Sequence, residues 1–170
     1  MMIKVLGVVL TVVGCGSVGF QIAASYRREE RALKQLLQIL EYMDCELQYR
    51  MTPLPELCRQ VAKTFKQTPG RVFSDLANEL ESQISPDVSC CMAAVLHRSR
   101  DLPPVTKQIL STLGLSIGKF DLSGQLKGLN AATAECKRNI EHLSADRDSR
   151  LRSYQTLGLC AGAALAILLI

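Results

Sequence analysis

Residues 5–24, VLGVVLTVVGCGSVGFQIAA, contain no ionisable group other than the thiol of Cys15. As a helix they rise about 30 Å, the thickness of a bilayer's hydrocarbon core, so they predict a transmembrane helix over 5–24. The other end repeats the pattern more briefly. Residues 157–170, LGLCAGAALAILLI, are also uncharged, and counted from Tyr154 the stretch reaches about 25 Å. A second, shorter span is expected over 154–170, with Tyr154 at headgroup level and local thinning of the bilayer. A buried C-terminal core helix is the alternative for this segment.

Two other readings of the first segment fit less well. A cleaved signal peptide has a shorter apolar run, whereas here Phe20 and Ile22 extend it before charge begins. Val12-Val13-Gly14-Cys15 loosely matches a bacterial lipoprotein box, which would leave a lipidated Cys15 outside the cell. The membrane-like stretch past Cys15 and the single leading charge, Lys4, weigh against it.

Charge orients the two spans. Arg27, Arg28, Arg31 and Lys34 follow the first, Arg147, Arg150 and Arg152 precede the second, and Lys4 stands alone outside. By the positive-inside tendency, residues 27–153 form a cytoplasmic domain and both termini are external. The net charge of +4 therefore belongs to membrane orientation; no basic stripe with interleaved aromatics points to nucleic acid. Gly7, Thr11, Cys15, Gly19 and Ala23 form one ridge of small residues, and Gly158, Gly162 and Ala166 form another. Lipid gives no hydrophobic reward for helix association, so close packing along Gly19, Gly158 and Gly162 is one expected contact between the spans; the alternatives are that one ridge serves another subunit, or that the glycines reflect only their frequency in membrane helices.

Between the ends every periodic signal is helical. Aromatics make up 5% of the chain with no Trp, and no alternating strand pattern occurs. Leu33, Leu36, Leu40, Met43 and Leu47 recur in steps of three and four, as in a coiled-coil seam. Thr52-Pro53-Leu54-Pro55 ends that helix, because Pro53 disfavours helical geometry at Thr52 and Pro55 suits the next helix's first turn. Short amphipathic helices follow, divided at Thr68-Pro69-Gly70, at Ser85-Pro86 and at Leu102-Pro103-Pro104. The last helix begins near Asp121 or Ser123 and sets Leu126, Leu129, Thr133, Cys136, Ile140 and Leu143 on a second seam. The expected fold class is all-α, a helical bundle whose two long, antiparallel, membrane-rooted helices pair through these seams.

Chemistry-bearing residues are sparse. His97 and His142 lack any metal-binding neighbour pattern, and no GxxxxGK[ST], GxGxxG or GxSxG motif is present. The seven cysteines include no CxxC pair, and the adjacent Cys90 and Cys91 point to different faces of a helix, one expected buried and the other exposed. No cofactor, metal or small-molecule substrate is expected. Gly114 and Gly118, four apart, expose backbone either for an intramolecular helix crossing, with a C-cap at Gly118 and an N-cap at Asp121, or for partner docking.

YRMTPLPE over 49–56, LGLSIGKFDLSGQ over 113–125, Tyr26-Arg27-Arg28 after the first span and the apolar tail after Tyr154 occur in an order that resembles the stage III sporulation protein AB family. The likeness runs nearly end to end, and its series of Leu-Gly, Ile-Gly, Asp and Gln falls on Leu113, Gly114, Ile117, Gly118, Asp121 and Gln125. Cys90-Cys91 and the Leu102-Pro103-Pro104 turn depart from the familiar pattern. The resemblance implies a mother-cell membrane component, facing the forespore, of the channel apparatus between the two cells. It further implies a cytoplasmic domain similar to the F platform proteins of type II secretion. The implied partners are the ATPase encoded in the same operon and the other membrane subunits, with Thr52, Pro53, Gly114, Gly118, Asp121 and Gln125 as candidate partner or helix-packing residues. Two competing readings remain: a thiol-based redox sensor or enzyme using Cys90 or Cys91, and a lipoprotein anchored at Cys15.

Overall fold

Among the described residues, six helices and no strand make up the computed structural model: α1 (Met2–Arg50), α2 (Leu54–Thr64), α3 (Thr68–Ser82), α4 (Val88–Arg98), α5 (Pro104–Ser116) and α6 (Leu122–Leu169). The structure describes the backbone of residues 2–82, 87–118 and 121–169, and the side chains of 24–82, 87–118 and 121–145. Among the described residues no helix is long and apolar enough to cross a membrane. The expected spans at 5–24 and 154–170, with Gly19, Gly158 and Gly162, lie outside the described side chains but for Ala24. The chain divides into two units, Glu29–Ile140 and a second made of Met1–Arg28 with Glu141–Ile170.

The Glu29–Ile140 unit is built around α1. Leu33, Leu36, Leu40, Met43 and Leu47 are all buried, as the three-four spacing requires of a seam under other helices, and Ala32 and Ile39 widen the stripe. Leu57 and Val61 from α2, Val72, Phe73 and Leu76 from α3, Met92 and Val95 from α4, and Ile109, Leu110 and Leu113 from α5 complete the core. Ion pairs tie the short helices together at the surface: Arg59 of α2 to Glu81 of α3, and Arg98 Nη1 of α4 to Glu79 Oε2 of α3 at 3.1 Å.

Among the described residues the turns follow the sequence chemistry with one exception; the break expected at Ser85-Pro86 lies outside them. Pro53 caps α2 with φ −58° and ψ 143°, its carbonyl accepting from the Leu57 N–H at 2.9 Å, and Pro103 does the same for α5, accepting from Lys107 at 3.0 Å. Asp87 caps α4, its carboxylate accepting from the Ser89 N–H at 3.3 Å and the Ser89 hydroxyl at 2.7 Å. The exception is Thr68-Pro69-Gly70, expected as a break and found as the first turn of α3. A proline in a helix's first turn loses no hydrogen bond, so it fits there as well as in a loop. A Cβ on Gly70 would overlap the carbonyl of Phe65, so this turn closes backbone against backbone.

Candidate functional site

The end of the Glu29–Ile140 unit opposite Glu29 and Ile140 is where α1 stops and α6 starts, and the starts of α2 and α4 and the end of α5 converge there. Gly118 follows α5 with φ +85°, a left-handed conformation that glycine adopts without the cost a Cβ imposes. A Cβ on it would collide with Val88 at the start of α4 and stand 3.6 Å from Leu54 Cδ2 at the start of α2. Asp121 then caps α6, its Oδ1 accepting from the Gly124 N–H at 3.0 Å, while its backbone carbonyl accepts from Gln125 N–H at 3.0 Å. A Cβ on Gly128, one turn further along α6, would meet the Ser116 side chain, so α6 lies close on the end of α5. With Glu41 Oε1 of α1 3.5 Å from Lys137 Nζ of α6, the two long helices run antiparallel through this unit: nine residues back from the end of α1 stands beside α6 fifteen residues after its start.

The candidate residues divide by role. Gly114 is buried, and a Cβ there would stand 2.9 Å from Met92 Cβ, so its backbone serves the crossing of α5 over α4 within the chain. Gly118 and Asp121 form the turn between α5 and α6. Thr52 and Gln125 are half-buried and Pro53 is exposed, at the adjoining turn and the first turn of α6.

Three further residues lie in the motifs YRMTPLPE and LGLSIGKFDLSGQ without a role that the sequence assigns. Tyr49 is 82% exposed, Met51 71% and Leu115 57%, which makes three of the four exposed large hydrophobic residues among the described ones; the fourth is Tyr26. All three flank the turns of this one end. Met51 also has φ +49°, a left-handed conformation unusual for a side chain of its size. The available signal was phase: Tyr49 lies away from the Leu40 seam, Leu115 falls between Leu113 and Ile117, and Met51 sits where the helix has already ended.

Thiol and imidazole chemistry is not assembled here. Cys91 is buried and Cys90 exposed, as alternation along α4 requires. Burial first, then the carboxylate of Glu79, pushes the Cys91 thiol up, away from the reactive thiolate. Burial likewise pushes Cys58 and Cys136 up to about 12. His97 and His142 are exposed, and among the described residues no three His, Cys, Asp or Glu side chains stand close enough to hold a metal ion.

The family described as stage III sporulation protein AB matches residues 4–170. Stage III sporulation protein AB of Bacillus subtilis (strain 168) is 26% identical over 171 residues, covering 99% of each chain. A solved structure of a stage III sporulation protein AB superposes with a TM-score of 0.64 at 21% identity, over 72% of this chain and 98% of that one, and shares the fold.

Proposed function

The chain belongs to the stage III sporulation protein AB family, and we propose that it acts there as a non-enzymatic assembly subunit. In this reading it sits in the mother-cell membrane through spans at 5–24 and 154–170, with residues 27–153 in the cytoplasm. It serves the channel apparatus between mother cell and forespore in the manner of a type II secretion F platform protein, docking the operon's ATPase and other membrane subunits.

The observation that carries the docking role is the exposure of Tyr49, Met51 and Leu115, all beside the turns at the end of the unit opposite Glu29 and Ile140. In this reading these residues belong to the cytoplasmic stretch 27–153, where a cytosolic partner meets them. Large apolar side chains left exposed at one end of a domain are candidates for an interaction surface, and Met51, left-handed where α1 ends, is 71% exposed. The thiol reading gains no support from Cys91, whose thiol burial pushes toward its inert form.

The test is co-purification of the full chain with the ATPase from sporulating membranes. The triple variant Tyr49→Ser, Met51→Ser, Leu115→Ser is expected to insert and fold normally and to lose the ATPase. Full recovery of the ATPase by this variant overturns the docking role. Protease added to protoplasts is expected to spare residues 27–153; their degradation overturns the topology.

A further inference from the structure

A groove of about 270 Å³ opens where α1 passes the turn between α2 and α3. It shares no residue with the apolar end. Buried Ile39 and half-buried Phe65 form its floor, Gln35, Gln38 and Gln67 its walls, and Lys66 its rim. Its shape is fixed. The Phe65 N–H donates to the Val61 carbonyl at 2.8 Å, its ring meets Tyr42 edge-to-face at 6.0 Å, and its carbonyl lies against Gly70 where no side chain fits.

The groove is one-signed. No carboxylate lines it, Lys66 does, Lys63 precedes Lys66 at the end of α2, and Arg31 lies one α1 turn before Gln35. Lys34, Arg50, Arg59, Arg98 and Lys137 each take a neighbouring carboxylate, whereas Arg31, Lys63 and Lys66 form no ion pair among the described residues. The carbonyl end of α2 and the amide end of α3 both open here; their partial charges oppose each other, and the side chains decide the sign. Three glutamine amides, each able to donate and accept, are suited to backbone groups of an incoming chain. A phosphate headgroup would leave Ile39, Phe65 and the acceptor oxygens of the three glutamine amides unused.

We propose that this groove docks an acidic, amphipathic segment of a partner protein, separately from the contact made at the apolar end. Its apolar side chains rest on Ile39 and Phe65, its backbone meets the glutamine amides, and its carboxylates face Lys63, Lys66 and Arg31. The probe is a fluorescein-labelled peptide of alternating Glu and Leu, titrated by anisotropy against the full chain in nanodiscs of uncharged lipid, beside a Lys/Leu counterpart. The Glu/Leu peptide is expected to bind and the Lys/Leu peptide not to. Two variants leave the core untouched: Lys63→Glu with Lys66→Glu, which reverses the rim, and Gln38→Trp, which fills the groove from exposed α1 surface. Each is expected to weaken binding at least about tenfold, the charge effect fading as salt is raised. The Tyr49→Ser, Met51→Ser, Leu115→Ser variant is expected to bind the peptide unchanged. Absence of binding up to millimolar protein, equal binding of both peptides, or insensitivity to Gln38→Trp overturns the proposal. So does a charge reversal that alters binding only to phosphatidylglycerol vesicles, which would assign the cations to lipid.

Discussion

The first and last helices carry the same three-four spacing of apolar residues and bury it to different depths. On α1 all five seam residues are buried, with Ala32 and Ile39 buried beside them; on α6 only Leu129 and Cys136 of the six seam residues are, with Ala132 buried beside them, while Leu126, Thr133, Ile140 and Leu143 stay half-exposed. The neighbours account for this. α1 meets the turn after α2 through Tyr42 and Phe65 and meets α6 through Glu41 and Lys137, so it is covered on more than one side. α6 touches α1 and the end of α5 along a narrow strip. A seam of given period therefore names the face that turns inward and leaves open how many helices cover it.

The largest effect that can break this contrast is at the centre of α1. Leu40→Asp removes a fully buried apolar side chain and buries an unpaired charge, so it is expected to cost upwards of about 4 kcal/mol in urea unfolding. An unchanged midpoint would mean that the α1 seam is not the core. On α6 the same truncation should grade with depth: Leu129→Ala is expected to cost about 2–4 kcal/mol and half-exposed Leu143→Ala about 1 kcal/mol or less. Equal costs at the two positions would remove the distinction between a covered strip and an open flank.

How far the sequence carries these features depends on the kind of signal. Pro53, Pro103, Gly118 and Asp121 mark helix limits because each acts on its own backbone, and those limits stand where the residues put them. Pro69 and Gly70 were ambiguous because their reasons differ: proline tolerates a first turn, and glycine is needed for the approach of the Phe65 carbonyl, a partner that local pattern does not reveal. The apolar end was half legible. Gly118 and Asp121 were visible as caps, but the exposure of Tyr49, Met51 and Leu115 depends on which helices fail to cover them. The groove was not legible at all, because its walls come from Gln35 and Gln38 on one helix and from a turn about thirty residues later.

Alkaline pH tests the depth of α6 at one atom. Burial raises the Cys136 thiol from its ordinary 9.0 to about 12. Above pH 9 the unfolded chain gives up this proton while the folded chain keeps it, so the thiol's contribution is whole below that pH and is lost as pH rises toward 12. Between pH 8 and pH 10 the loss is about 1.4 kcal/mol. Cys136→Ala is expected to show a smaller fall in stability than the parent over that interval, by roughly this amount, and Cys58→Ala, raised to the same value by the same cause, to behave alike. A parent and a Cys136→Ala variant that fall in parallel would mean that water reaches the thiol, and that α6 covers it less than α1 covers its own seam.

The smallest effect measures the contact between the two helices directly. Glu41 and Lys137 stand 3.5 Å apart across α1 and α6, and each side chain is 54% exposed. Water screens such a pair and both long side chains lose rotamer freedom to form it, so its coupling is expected at about 0.2–0.5 kcal/mol in a Glu41→Ala, Lys137→Ala double-mutant cycle. Raising the salt to about 1 M shortens the screening length to about 3 Å and should bring the coupling to nearly zero. A coupling above about 1 kcal/mol that survives high salt would mean that polar contacts fix α6 to α1 more firmly than its half-open seam implies. No coupling at low salt would place Lys137 elsewhere on average, with α6 shifted along α1 and the buried strip at Leu129 and Cys136 the part of the contact that holds.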